Sequence, residues 1–487
     1  IWAHWSAQCV PEFGDWYGRL MYVEGDPFYK HHREHYGHPA DVGFMEMENR
    51  WKAENWEPEY LIRRYKAAGA RSFMALACHH DNLDTYDSAH HPWNSLRVGP
   101  RRDIVGTWEK IARREGMRFG VSNHASHAWH WWQTAYGYDT QGPRKGERYD
   151  AFRLRREDGA GTWWDGLDPQ ELYTGPSSVP PAGIASPQDM RDWHDTHDGR
   201  WLENIPAGNP LFAHKWLLRQ QDLVEKYRPD MVYFDNYGLP FGPLGLEALA
   251  HYYRKASEWH GSPAVVATAK QLDSYRRRAL VEDIERGFSD RLREEPWQTC
   301  TCIGDWHYNR RRFLEKSYVP AEQVIQRLVD TVSKNGNLLL SIPMRGDGTI
   351  DSEEEGILDG IAAWMKVNGD EAIHGTRPWR QFGEGPTRLA GGMFGEAQIA
   401  SLGERDVRFT TKDGALYAAF MKWPGEPAAI AALGLQANDG ARVERVSLLG
   451  GGRVRFAQTA KHLELRLPPP RPGAIVPVVK IEGRGLV

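Results

Sequence analysis

Over the first ~365 residues, short apolar runs alternate with stretches whose apolar positions recur at helical spacing, the pattern of an α/β parallel sheet. The runs predict strands at 1–5, 72–78, 118–123, 231–235, 264–268, 297–303 and 337–342. Between them the periodicity predicts helices over 58–69, 104–116, 211–227, 244–259, 321–334 and 352–366. Gly69 and Gly116 stop two of these, and Asp351 or Ser352 opens the last with acids in its first turn. The segment Met231-Val232-Tyr233-Phe234-Asp235-Asn236 is the most informative: a buried strand after a helix, ending abruptly in a carboxylate. In a (β/α) barrel that position faces the mouth where catalysis occurs. Taken alone, Asp235 reads equally as a helix cap or turn residue.

Two stretches break the alternation. Residues 133–208 are rich in Gly, Pro and Trp and too long for a simple connection, so they read as an extended loop over the sheet. From about residue 385 the helical periodicity disappears, and short alternating segments at 406–411, 416–422, 443–448 and 462–467 sit between Gly, Pro, Asn and Asp breaks. The expected architecture is a (β/α)8-like (TIM) barrel over 1–370, followed by an all-β sandwich over 371–487, with 377–386 as the link.

Charge narrows the function. Lys plus Arg number 61 and Asp plus Glu 65, a net charge of −4 without long runs of one sign, so nothing asks for nucleic acid or an anionic membrane. No apolar stretch is long enough to span a bilayer. Cys9, Cys78, Cys300 and Cys302 have no metal-site spacing and read as buried free thiols. The chain holds 21 Trp and 20 Tyr, many in Gly/Pro/His-rich segments. A flat ring with a polar handle suits the C–H face and hydroxyl rim of a sugar; packing inside a large barrel is the competing explanation. No signal peptide is visible, and Ile1-Trp2-Ala3-His4-Trp5 reads like the middle of a strand.

Several predicted strands end in the same few polar types: His4, His79-His80, His124 and Asp235. In a barrel these ends converge on one face. His clusters also bind zinc, but these strand-end histidines lack the His-x-x-x-His spacing of a helical zinc site. A pocket of His, Trp and carboxylates fits glycoside hydrolysis, which needs two carboxyl groups. Asp235 supplies the first, and the second is sought in 282–295.

At this point the chain resembles the α-L-fucosidases of glycoside hydrolase family 29. The resemblance is carried by Ile1-Trp2-Ala3-His4-Trp5, the run from Cys9 through Pro11-Glu12-Phe13-Gly14 to Asp15-Trp16-Tyr17, His79-His80-Asp81, Trp93-Asn94-Ser95, Gly99-Pro100-Arg101-Arg102-Asp103, Tyr233-Phe234-Asp235, Ser333-Lys334-Asn335-Gly336-Asn337-Leu338-Leu339-Leu340, and Gly346-Asp347-Gly348-Thr349. It implies a retaining exo-glycosidase acting on terminal α-L-fucose, with Asp235 as nucleophile and His4, His79 and His80 binding sugar hydroxyls. Asp15-Trp16 falls on the Glu-Trp pair that lines the family's sugar pocket, one methylene shorter at Asp15. Tyr233 stands where the family often has Trp, and Asn123 and His124 replace a Tyr-rich segment. For the acid/base, Gln298 occupies a site where some members carry Glu. The candidates are Glu285 first, then Glu295 and Glu282, with Arg286 beside Glu285 as a sugar or carboxylate ligand.

The implied reaction needs no metal or organic cofactor. Its partner is a fucosylated oligosaccharide or glycan, and a homo-oligomer is compatible with the chain. The substrate's location implies a secreted or periplasmic protein. An α-L-galactosidase or another retaining glycosidase on the same barrel, and a non-catalytic carbohydrate-binding relative, remain alternatives.

Overall fold

A computed structural model describes residues 1–487. Eight parallel strands close a barrel: β1 (Trp2–Ala3), β2 (Ser72–Cys78), β3 (Arg118–Asn123), β4 (Met231–Tyr237), β5 (Val266–Lys270), β6 (Val281–Asp283), β7 (Trp297–Cys302) and β8 (Gly336–Ser341). Each pairs with the next, and β8 returns to β1 through Trp2 opposite Ser341. Strands such as β2 and β7 are buried almost along their whole length, as expected where helices cover a parallel sheet. Helix Ile104–Arg114 begins where the Asp103 side chain accepts from Gly106 N at 2.8 Å. Helix Pro58–Ala67 ends before Gly69, whose φ of +88° few other residues tolerate. Helix Ser352–Asn368 opens with a capping box between Asp351 and Glu354.

The structure departs from the sequence expectation at several points. Strand β6 was not anticipated: it has three residues, two of them acidic, and no apolar run to announce it. Helices Pro27–His35 and Phe44–Arg50, between β1 and β2, were missed as well. The segment 133–208 is not structureless. It contains short helices at Asp150–Arg153, Pro169–Leu172 and Pro187–His197, the last capped by Ser186.

The C-terminal part is all antiparallel. Strands β9 (Arg377–Glu384), β10 (Val407–Lys412), β11 (Ala415–Phe420), β13 (Arg442–Leu448), β14 (Gly452–Arg453) and β17 (Val478–Arg484) form one sheet, in the order β14-β13-β17-β11-β10-β9. Strands β12 (Ala428–Ile430), β15 (Arg455–Gln458) and β16 (Leu463–Arg466) form a second. Trp379, Phe409, Leu416, Ile430, Leu465 and Ile481 belong to the core of this domain. The supposed link at 377–386 is therefore largely strand β9. It is an edge strand with one free side, bulged opposite Arg408–Thr410, and its many polar residues hid it.

The barrel and the sheet domain share an apolar core that includes Trp364, Val329, Tyr417 and Val478. Asp330, on helix Ala321–Ser333, accepts from Lys334 at 2.8 Å and from Arg408 of β10 at 2.7 Å, with all three side chains buried. Gln326 Nε2 donates to Met421 O, and Trp364 Nε1 to Val476 O.

Candidate active site

Strands β4, β5 and β6 are consecutive neighbours in the barrel, spaced ~4.8 Å apart. Groups at their C-terminal ends must therefore meet. Asp235 lies on β4, Lys270 ends β5 and Glu285 follows β6. The Lys270 ammonium donates to Glu285 Oε2 at 2.6 Å and to Asp235 Oδ1. One bridging cation holds the nearest oxygens of the two carboxylates within about 5 Å, close to the separation of a retaining pair. Lys270, Asp235 and Glu285 side chains are only 8%, 15% and 14% exposed. Burial works against the charge on Asp235, but Lys270, His124 and His80 outweigh it and hold its carboxyl well below the usual range.

The ends of β1, β2 and β3 supply the opposite wall with His4, His79, His80 and His124. Burial is the largest influence on each and drives His4, His79 and His80 well below the usual imidazole value; His124 is lowered too, with Asp235 opposing. These rings are neutral at working pH, so each offers one donor and one acceptor. His124 Nδ1 lies 3.0 Å from Asp235 Oδ2 but is poorly aligned for a hydrogen bond, and His80 Nε2 lies 3.5 Å from the same oxygen. Neither nitrogen of His4 has a partner within the protein, nor does Trp2 Nε1. The cavity they line measures about 490 Å³.

Most of the predicted residues meet here: Asp235, Glu285, His4, Asp15, Trp16, His79, His80, His124, Tyr233 and Arg286. Asp15 has a second task, accepting from the backbone N–H of Trp306 at 3.1 Å and of His307 at 2.7 Å. Trp16 sits at φ +69° and meets Trp201 edge-on at 5.3 Å. Tyr233 packs on Trp2 and donates to Asp283 at 3.2 Å. Arg286 is turned to Glu396, donating at 2.6 Å from Nε.

Three candidates are not brought in. Asn123 is buried beneath the wall, donating to Gln220 at 2.8 Å and accepting from Ala125 N at 2.9 Å. Glu282 is held by Arg277 and Arg293, which donate at 2.8 and 2.6 Å, away from the cavity. Glu295 is exposed and precedes β7, at the end of the barrel opposite the pocket.

Sequence reasoning missed several lining residues. Lys270 fell beyond the strand expected at 264–268, though two more residues of the same run would have included it. His127 lay three past His124, and Trp306 beside His307; both were visible in the sequence as ring clusters. Trp201 and Glu203 come from the long segment, and Phe394 and Glu396 from beyond the barrel, with no local signal. Few of the Trp line the cavity, and Trp51, Trp93, Trp108, Trp131, Trp132, Trp216 and Trp297 are core packing.

The histidines also have the reach of a cation site, which sequence spacing had discouraged. The sets His4–His79–His307, His79–His80–His124 and His80–His127–Asp235 each have ligand atoms within 4.8 Å of one another. All four cysteines are free and buried. No helix is long and apolar enough to cross a membrane.

A parallel eight-stranded barrel with two bridged carboxylates and a wall of neutral imidazoles and indoles at its C-terminal mouth defines a glycoside hydrolase. The family model for "Alpha-L-fucosidase" matches residues 1–370, and that for "Alpha-L-fucosidase C-terminal domain" matches 402–482. The chain belongs to the alpha-L-fucosidase family. It is 24% identical to the tissue alpha-L-fucosidase of Rattus norvegicus, covering 94% of this chain and 81% of that one. The human tissue alpha-L-fucosidase is also 24% identical, covering 87% and 74%. Among solved structures, an alpha-L-fucosidase superposes with a TM-score of 0.69 at 23% identity, covering 99% of this chain and 94% of that one. The Thermotoga maritima alpha-fucosidase in complex with fucose gives 0.66 at 24% identity over the same shares.

Proposed function

We propose that this chain releases terminal α-L-fucose from fucosylated oligosaccharides or glycans with retention of configuration. The observation that carries the reading is the pair Asp235 and Glu285, bridged by Lys270 inside the His-lined cavity. Asp235, kept ionised, attacks the anomeric carbon and forms a covalent fucosyl-enzyme. Glu285 gives a proton to the departing oxygen and then takes one from the incoming water. To do so it must exchange its contact with Lys270 for one with the glycosidic oxygen. His4, His79, His80 and His124 bind ring hydroxyls, while Trp16, Tyr233 and Trp306 face the sugar's apolar side. Arg286 acts through Glu285, whose loop it anchors to Glu396. A fucosylated substrate places the protein outside the cytoplasm, secreted or periplasmic.

The test is hydrolysis of 4-nitrophenyl α-L-fucoside by wild type, Asp235→Ala and Glu285→Ala. Asp235→Ala is expected to lose at least about a thousandfold in kcat. Glu285→Ala should lose about a hundredfold or more and recover with azide to give fucosyl azide. Full activity in Glu285→Ala overturns its role, and Glu203, the other carboxylate near β4, is then tested. A chelator should leave wild-type activity intact; its loss would favour a metal on the histidines.

A further inference from the structure

The rim of the pocket beside Glu285 is not made by the barrel. It is an arm of residues 391–396 from the segment between β9 and β10. The arm is pinned at three places. Gly392 and Phe288 exchange backbone hydrogen bonds of 3.0 and 3.2 Å. Phe394 N donates to the carbonyl of Glu285 at 2.9 Å. The Glu396 carboxylate accepts from Arg286 at 2.6 Å and from Thr301 Oγ1 at 2.8 Å.

This anchoring holds one side chain out in the open. Phe394 lines the pocket yet is 61% exposed, and its backbone is held at φ +59°, a region bulky residues seldom adopt. A strained, exposed aromatic beside a reacting group calls for a ligand. Tyr237, 38% exposed, extends β4 past Asp235 on the same rim, with only β5 between it and the Glu285 loop.

We propose that Phe394 is the platform of an aglycone subsite that binds a second pyranose ring, the sugar to which the fucose is linked. The inference rests on the fucosidase reading above. If Glu285 protonates the glycosidic oxygen, the leaving sugar must lie against Glu285. Phe394 is the aromatic surface tied to that residue's own backbone. A pyranose presents a flat C–H face to such a ring, while its hydroxyls remain free for Tyr237 and solvent. The C-terminal domain thus determines which fucosides are preferred, through one side chain, without touching the fucose.

The experiment compares wild type, Phe394→Ala and Phe394→Trp on two kinds of substrate. One is the best of a panel of α-L-fucosyl disaccharides differing in linkage. The other is methyl α-L-fucoside, which needs the same protonation but has no second ring. Phe394→Ala should lower kcat/KM for the disaccharide by about five- to tenfold and leave methyl α-L-fucoside within about twofold of wild type, while Phe394→Trp keeps the disaccharide. Thermal unfolding checks that the variants fold. An equal loss on both substrates overturns the platform, because the arm would then only position Glu285. No loss on either overturns it too, as does wild-type activity on 4-nitrophenyl α-L-fucoside with none on any disaccharide. A wild type inactive on every α-L-fucoside is a different failure: the fucosidase reading falls first, and the subsite with it.

Discussion

Lys270→Met keeps most of the side-chain volume and removes the single cation between Asp235 and Glu285. Two buried carboxylates then face each other across about 5 Å. At an effective dielectric of about 20 their repulsion is about 3 kcal/mol, the lower end of the roughly 3–5 kcal/mol lost when one partner of a buried pair is removed. His80 and His124 also favour the ionised Asp235, but burial holds both imidazoles below their usual value, so at about pH 7 they do not replace the lost ammonium. The sign with pH follows from Asp235. Its carboxyl is held well below the ordinary value in the folded protein, so its stabilisation is complete above the unfolded value near 4 and fades as pH falls further. The variant lacks that stabilisation. Its deficit in urea unfolding should be about 3 kcal/mol at about pH 7 and should narrow as pH falls, because the repelled carboxylates of the folded variant take up protons before those of wild type do. The acid limb of kcat/KM on 4-nitrophenyl α-L-fucoside should move to higher pH, because the nucleophile then takes up a proton sooner. A deficit equal at every pH, with the acid limb unmoved, would show that Lys270 only fills space and would refute the bridge.

Glu48 is fully buried and neither carboxyl oxygen has a hydrogen-bond partner within the protein; burial pushes it well above the usual value, with Asp81 and Asp150 adding to the rise. The folded protein therefore binds a proton that the unfolded chain has released, so this group weakens the fold progressively as pH rises above about 4.5; Glu48→Gln should gain stability over wild type at about pH 8 and little at about pH 4.5, read by urea titration. Asp330→Ala strands the buried cations Lys334 and Arg408 between barrel and sheet domain and should lose about 3–5 kcal/mol of unfolding free energy. Glu396→Ala frees Arg286 and should lower kcat on 4-nitrophenyl α-L-fucoside by about tenfold or more, since small displacements of a catalytic group are expensive; unchanged kcat would remove Glu396 from the support of the site. α-L-galactosides differ only by a hydroxyl on C6 and should be disfavoured by no more than about a hundredfold in kcat/KM.

What the sequence made legible was whatever a strand announces at its own end. The apolar run 231–234 closing on Asp235, and the His residues following β1, β2 and β3, needed only the rule that barrel strands gather their C-terminal ends. What stayed hidden depended on long-range neighbours. Strand β6 is too short and acidic to show a period, and its barrel neighbours β5 and β7 alone make it a strand. A lysine at the end of β5 reads as solvated until the acids on both sides are known to face it. Strand β9 looked like a link because an edge strand with a bulge needs few apolar residues. Asn123 had the right position along β3 but an internal partner in Gln220, and no local rule distinguishes the two. Glu396 reaches the pocket only because the sheet domain folds back over the barrel.

The pocket's polar groups divide into two sets with different duties. Asp15, Glu203 and Glu396 spend their oxygens on the protein, fixing the turns and loops around the cavity. His4 and Trp2 Nε1 are buried with no partner in the protein. An orphaned buried donor or acceptor costs roughly 1–3 kcal/mol, so such groups survive where a ligand repays them. Neutral rings suit hydroxyls, which donate and accept, better than they suit an anion or a cation. A sugar is the ligand with enough hydroxyls to satisfy several of these atoms at once. Both cations of the wall are already engaged, Lys270 by Asp235 and Glu285 and Arg286 by Glu396, so entry of a neutral polyol leaves the electrostatics of the dyad in place for the chemical step. That division, with fixed acids outside and unsatisfied neutral donors inside, is why the cavity reads as a sugar site rather than a general polar cleft.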